Sequence, residues 1–385
     1  MTLSVNKEDI IDGVQKAGLV IPTKSGQAYL RSLWLKAEQG NLHIMSTNGD
    51  IEFTGRYPAE IMEPGLVGVQ GRAFVDLVRQ LPSGKLDISQ DENAGTMLLK
   101  HGRRSYKLPV SNAEWFQPFH DFPEENSIVW SGDFLQELLY KVDFCISDDI
   151  NDDGLSCLCI KAAENGRVDA CGLDGHHLAH FSFVHDELAA RLPEKGILIQ
   201  KKYTQDMKKW LGPDDIELNI TDKHICLRTM DGKESLTLPR SMYDYPDYTV
   251  FLAKLAQQNT SIAVMDRKEN MEALGRIQIF LSNNDQAVYM EFTNTEMQMK
   301  AQGHDTGSAQ ENMEVTFKGD VSRIAFHTRH LLNVISHFIS STVELTMTEQ
   351  EGPCGVRGKI DQDYVVLIMP MKIVEDAYYS EDKDQ

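Results

Sequence analysis

Apolar positions recur along this chain in three matching blocks, each a helix-spaced run followed by an alternating, strand-like one. The segment FVDLVRQLPSGKLDIS (74–89) is answered by YTQDMKKWLGPDDIELNI (203–220) and by HLLNVISHFISSTVELTM (330–347). A second recurrence lies ahead of each block. LKAEQGNLHI (35–44), IKAAENGRVDA (160–170) and EFTNTEMQMKA (291–301) read strand, polar turn, strand, and two of the three turns contain a glycine, Gly40 and Gly166, that favours a tight hairpin. A third recurrence precedes the hairpins. KEDIIDGVQKAG (7–18), GDFLQELLYKVDF (132–144) and RKENMEALGRIQIFL (267–281) place apolar residues such as Ile11/Val14, Phe134/Leu138/Val142 and Met271/Leu274 at helical spacing.

Matching elements in matching order predict an α+β protein of three similar domains: 1–124, 125–250 and 251–374, with an acidic extension at 375–385. Prolines and acidic residues in FHDFPEENS (119–127) and YDYPDYTV (243–250) interrupt the patterns at the two boundaries. Each unit is long enough for its own core, and the repeat is too coarse for a solenoid, so domains joined into a larger curved body are expected. Two unrelated α+β domains are the alternative, against which the order of the recurrences stands.

Charge narrows the setting. With 58 acidic against 38 basic residues, a formal charge of −20, most of the surface should repel polyanions, which excludes indiscriminate nucleic-acid binding but not a local basic strip. The second helix of the middle unit contains such a strip: Lys201/Lys208 and Lys202/Lys209 recur seven apart, away from the apolar face of Tyr203, Met207 and Trp210. Arg72 and Arg79 repeat the arrangement in the first unit, and Arg323 and Arg329 near His330 and His337 in the third; Lys141 and Arg276 add basic character to other helices. A single such helix is ordinarily a solvated face. Three on one curved body could track duplex phosphates without reading bases.

Chemistry beyond that is sparse. Neither a phosphate-binding Gly-Lys-Ser/Thr loop, a Gly-x-Ser-x-Gly elbow nor a His-Glu-x-x-His helix is present, so no catalytic residue, cofactor or metal ligand is expected. The cysteines, Cys145, Cys157, Cys159, Cys171, Cys226 and Cys354, lack zinc-ligand spacing and read as buried thiols. The absence of a transmembrane-length apolar run and of a signal-like N-terminus suggests a cytoplasmic protein with no membrane partner.

The three units, with LDGHHLA (173–179), YPDY (245–248) and VVLIMPM (365–371), resemble the bacterial DNA polymerase III beta subunit, the replicative sliding clamp, over roughly residues 1–373. That resemblance implies clamp domains with inner helices and outer antiparallel sheets, two subunits closing a ring on double-stranded DNA, and a non-catalytic processivity factor of the replication fork on the nucleoid. The partners it implies are the polymerase III catalytic subunit, the clamp loader, and other replication and repair proteins with clamp-binding peptides. By local pattern VVLIMPM is either a buried strand with a proline break or an adaptable methionine surface. The resemblance implies a peptide pocket of Leu155, Leu173, Gly175, His176, His177, Leu178, Pro246, Phe251, Leu367, Met369, Pro370 and Met371. It further implies a subunit interface in which Tyr106 meets the partner's third unit, around Phe280 and Leu281.

Three departures qualify the resemblance. The family's usual Thr-Asp-Gly-His-Arg-Leu appears with Leu173 and His177, and a histidine lacks the arginine's reach and rigid five-donor fork. The loop SDDINDDG (147–154) is acidic where basic or aromatic residues are usual near DNA, and VIPTKSGQAYLRSL (20–33) departs from the common proline-containing form, leaving Lys24 as its phosphate contact. The alternative function is a three-domain interaction scaffold that does not encircle DNA. The tail 375–385 reads as an exposed extension.

Overall fold

Hairpin chemistry and helix patterning place the elements where the recurrences lie. In the computed structural model, residues 1–373 are described apart from 23–26, 92–93, 150, 152, 258, 282–285 and 304–305. Among the described residues the helices are α1 (Lys7–Val20), α2 (Gly71–Gln80), α3 (Gly132–Val142), α4 (Asp186–Arg191), α5 (Lys201–Trp210), α6 (Thr249–Leu255), α7 (Arg267–Ile277) and α8 (Thr328–Ser336). Thus α1, α3 and α7 are the first helices of the three repeats, and α2, α5 and α8 the second. Each second helix leads into a strand, Lys85–Asp91, Asp215–Ile220 and Thr342–Met347. The first hairpin turns through Gln39 and Gly40 at φ 48° and 76°, both left-handed, which matches the right-handed twist of its strands.

The chain forms two compact units, residues 1–139 with 199–242, and residues 140–198 with 243 onward. The segment expected as a middle domain therefore contributes to both. In the first unit a thirteen-stranded antiparallel sheet runs through the described residues, and Glu234–Pro239 joins Glu52–Pro58 to link its two stretches of chain. Helix α1 packs on α2, on α5 and on the strand Glu52–Pro58, burying Ile10, Val14 and Ala17; α2 buries Phe74 and Val78. Gly13 is needed for that approach, because a Cβ there would overlap the Tyr57 ring. Phe74 is fully enclosed, so its truncation to alanine would cost about 3–5 kcal/mol.

The second unit repeats the device. Strand His177–Val184 pairs with Arg167–Leu173 on one side and with Tyr364–Ile368 on the other, so the last of the described strands is stitched to the middle stretch. Helices α7 and α8 pack together and bury Leu274, Ile277, Leu331, Val334 and Ile335. Asp266 caps α7 by accepting from the Glu269 amide at 2.8 Å.

Candidate peptide pocket, basic helix faces and strand edges

The turn between Arg167–Leu173 and His177–Val184 is built by its own side chain. Asp174 Oδ1 accepts from the amides of His176 at 2.8 Å and His177 at 2.6 Å, and its Oδ2 lies 2.9 Å from His177 Nδ1. Gly175 supplies the φ of 87° that this turn requires. Burial alone would raise the Asp174 carboxyl. Hydrogen bonding and charge from His177, with the two amides, outweigh it and hold the group below its ordinary value. His177 therefore spends one ring nitrogen on its own turn.

Below the turn lies an apolar floor. Leu173, Leu178 and Leu367 are buried in one cluster with Cys157, Cys159, Cys171, Leu198, Tyr248, Leu255 and Val365, and Leu155, Tyr245 and Leu252 pack against it. The Tyr245 hydroxyl donates to the Cys171 carbonyl at 3.2 Å and the Tyr248 hydroxyl to Asp169 at 3.0 Å, fixing the two rings. All of the chain's cysteines are buried and free, and burial pushes the Cys159 thiol up to about 12, so the cysteines of this floor are inert packing.

The rim is open. The Met369 amide donates to the His176 carbonyl at 3.0 Å and the Met371 amide to the Ala325 carbonyl at 2.7 Å, which holds Met369, Pro370 and Met371 between the turn and the strand Arg323–His327. Met369 is 41 % exposed and Phe251 37 %, and Pro246 is exposed beside the buried Tyr248. Val365–Ile368 is buried strand, and the methionines after it are partly open. Of the twelve residues expected as a pocket, Leu173, Leu178 and Leu367 are buried in the floor cluster with Leu155 against it, Met369 is tied to the 175–177 turn, and Pro246 and Phe251 are exposed in the same unit. Sequence reasoning missed the floor's Tyr245 and Tyr248, although both lie within YPDY, and His327 and His330, which approach His177 from far along the chain.

The basic positions divide. On α5, Tyr203, Met207 and Trp210 are buried as expected, Lys202 and Lys209 are exposed, and Lys201 and Lys208 are half-buried. Lys202 lies 3.2 Å from Asp50, an exposed pair that phosphate could replace at little cost, and Lys209 lies 3.5 Å from the half-buried Asp206. Arg79 is exposed beside Asp76, whereas Arg72 is half-buried and donates to the Ile21 carbonyl at 2.8 Å. Arg276 is held by two bonds to Glu311, at 2.8 and 2.6 Å.

Two expectations are corrected. Lys141 does not face phosphate: it is 6 % exposed, 4.5 Å over the Phe181 ring and 3.9 Å from the buried Asp361. Helical spacing placed it on a basic face, but the groups that enclose it come from distant sequence. Arg323 is not on a helix; it opens the strand Arg323–His327, 3.4 Å from Glu291. Lys24, Asp152 and the tail 375–385 lie outside the described residues.

A cavity of about 780 Å³ in the first unit is lined by Glu8, Asp9, Asp12, Asp214, Asp215 and Asp231, among others, around the half-buried Lys16 and the buried Glu234 and Tyr57. Its carboxylates exclude it as a phosphate site. Among the described residues, each unit also has an open strand edge. Residues 104–109 of Arg104–Ser111 pair only with Thr96–His101, the other side being used at Val110 and Ser111 alone. In the second unit, residues 307–314 of Gly307–Lys318 pair only with Glu296–Gly303, before the strand turns to Ser261–Asp266. Tyr106 is half-buried on the first edge; Phe280 and Leu281, also half-buried, follow α7.

Comparison with known proteins agrees with this geometry. The family model described as DNA polymerase III beta subunit, N-terminal domain, matches residues 1–120, and that described as the C-terminal domain of the same subunit matches residues 255–372. The beta sliding clamp of Pseudomonas aeruginosa is 22 % identical over 378 residues, covering 97 % of this chain and all of the relative, and that of Escherichia coli is 21 % identical with the same coverage. The solved sliding clamp of Caulobacter crescentus superposes with a TM-score of 0.89 at 21 % identity, and the P. aeruginosa beta subunit with 0.88 at 21 %, each over 97 % of this chain and all of the other. The structures establish a shared fold, and the two family models together span more than half of the chain. The chain belongs to the DNA polymerase III beta subunit family, the bacterial sliding clamps.

Proposed function

We propose that this chain closes as a two-subunit ring around duplex DNA and tethers the replicative polymerase, as a non-catalytic processivity factor without sequence preference. The observation that supports this most directly is the pocket, an apolar floor with an open methionine rim in a member of the clamp family. The pocket would take a short apolar peptide of the polymerase catalytic subunit, the clamp loader, or other replication and repair proteins. Retention by ring topology needs only weak phosphate contacts, which exposed lysines such as Lys202 and Lys209 would supply.

The three-repeat reading carries the same proposal, with domains at 1–124, 125–250 and 251–374. The open edges are offered as the ring contacts. Arg104 and Lys107 lie on one edge and Glu311 and Glu314 on the other, so opposite charges would meet when strand 104–109 of one subunit pairs with 307–314 of the next. Tyr106, Phe280 and Leu281 would be buried there. As a bacterial replication subunit the protein works in the cytoplasm, and we place it on the nucleoid at the fork. Loading onto nicked circular DNA, followed by linearisation, tests the function: a ring stays on the circle and runs off the linear form. Equal loss from both would leave a scaffold that does not encircle DNA.

A further inference from the structure

The acidic cavity of the first unit takes no part in the contacts proposed above. Its carboxylates come from separate stretches of chain: Glu8, Asp9 and Asp12 from α1, Asp214 and Asp215 from the entry to the strand Asp215–Ile220, and Asp231 and Glu234 from the turn into the strand Glu234–Pro239. Two lysines stand among them and both are engaged. Lys16 binds Glu234, and Lys233 lies 2.9 Å from Asp231. Among the described residues the other five carboxylates have no ion-pair partner. Glu8 and Asp9 suit the positive end of α1, which accounts for two of them. Asp12, Asp214 and Asp215 have no such reason to share a wall, and like charges around one concavity set up a potential that draws in a cation.

A second observation narrows what that cation is. Trp210, the last residue of α5, lines the same cavity at 3 % exposure, and its indole Nε1, a donor only, has no acceptor among the described residues. A buried donor left unpaired costs stability until something accepts from it. Pro58 and Met230 add exposed apolar surface to the lining, Met230 at 53 %. The ligand therefore needs positive charge, an acceptor oxygen and aliphatic carbon together. A metal ion lacks the carbon, and among the described residues no group of His, Cys, Asp or Glu is arranged to hold one. A polyamine has charge and carbon, but its protonated nitrogens only donate. A peptide with lysine or arginine has all three: cationic heads, methylene stems that lie along apolar surface, and a carbonyl at every residue. A volume of about 780 Å³ admits a few such residues.

We propose that this cavity docks a basic segment of a protein partner, with Asp12, Asp214 and Asp215 taking its lysine or arginine heads and the Trp210 indole donating to one of its backbone carbonyls. The site lies in the first unit and shares no residue with the pocket of the second, so it stands or falls independently of the pocket reading. The carboxylates that attract a basic segment repel phosphate, so duplex DNA does not compete for this surface.

The probe is a fluorescein-labelled peptide of sequence Lys-Gly-Arg-Leu-Lys-Gly, titrated against the full chain by anisotropy at low salt. Asp12→Asn, Asp214→Asn and Asp215→Asn together should weaken binding roughly tenfold. Glu164→Gln, Glu349→Gln and Glu351→Gln, which remove as much charge from exposed positions elsewhere, should leave it nearly unchanged. In isotope-labelled protein the Trp210 indole resonance, identified as the one absent from Trp210→Phe, should move downfield with the peptide and stay still with spermidine. Should Trp210→Phe not fold, the comparison of the two triple variants decides alone. Equal weakening in both would reduce the contact to attraction by net charge and overturn the proposal, as would the absence of binding. An indole signal that stays still with the peptide bound, or follows spermidine equally, would overturn it as well, the second outcome leaving a polyamine site.

Discussion

The amide of Met369 donates to the carbonyl of His176 across 3.0 Å, so the end of the last strand and the Asp174 turn, nearly two hundred residues apart in sequence, form one rim. The tie is through backbone, which leaves the methionine side chain free to adapt to what it meets.

Replacing Met369 and Met371 with alanine should therefore keep the rim's path but remove its apolar surface. Affinity for a polymerase-derived peptide is expected to fall roughly tenfold or more, with the subunit mass in solution unchanged. An unaltered titration curve would count against these residues as pocket wall.

Neutralising Lys201, Lys202, Lys208 and Lys209 to glutamine should lower the slope of log affinity for DNA against log salt by about 0.9 for each phosphate that is no longer neutralised. The decisive reading is the slope rather than the affinity at one salt concentration. A slope equal to that of the unmodified protein would mean that α5 does not touch DNA.

Lys141 provides the contrast. Its ammonium is enclosed with Asp361, whose carboxylate also accepts from the Ser340 amide at 3.1 Å and hydroxyl at 2.6 Å. Lys141→Ala leaves that acid buried without its counter-charge and should cost about 3 kcal/mol in chemical denaturation, with no change in the DNA salt slope. A stable variant with an altered slope would restore Lys141 to the DNA face.

Asp174→Asn should lower stability at neutral pH by about 1 kcal/mol. Because the folded carboxyl is held below its ordinary value, its contribution is complete above the unfolded pKa and disappears as pH falls through the folded one. Denaturation of the two proteins should thus diverge near neutrality and converge in strong acid. A constant gap down to the lowest pH would show that the carboxylate's charge is irrelevant to the turn.

Reversing Arg104 and Lys107 to glutamate should place like charges opposite Glu311 and Glu314 and convert a dimer to a monomer, as read by light scattering across protein concentration. Adding Glu314→Lys, which leaves the Arg276–Glu311 pair intact, should recover the dimer. Failure of that change to rescue would separate the charge argument from the edge argument.

Local pattern made the repeats legible because helices and hairpins depend on residues three, four or two apart. Gln39–Gly40 and the buried faces of α1, α5 and α8 needed nothing from elsewhere in the chain. Leu178 and Leu367, brought together by the resemblance, do lie in one buried cluster. What the sequence concealed was long-range: Lys141 is turned inward by Phe181 and Asp361, Arg323 is drawn into a strand beside Glu291, and the partners of His177 sit on and just before α8. Spacing assigns a residue to a face of its own helix, and only the packing decides whether that face meets water.

An open strand edge is a hazard as well as a contact, since an unpaired ladder can template misassembly with any similar edge. Residues 104–109 carry Arg104 and Lys107, and Pro109 withholds one amide from the ladder. Two such edges laid against each other would set cation beside cation and leave a gap in their bonding. The same charges that would suit the acidic edge of a neighbouring subunit therefore discourage self-pairing during synthesis, when edges emerge from the ribosome before any partner strand is available.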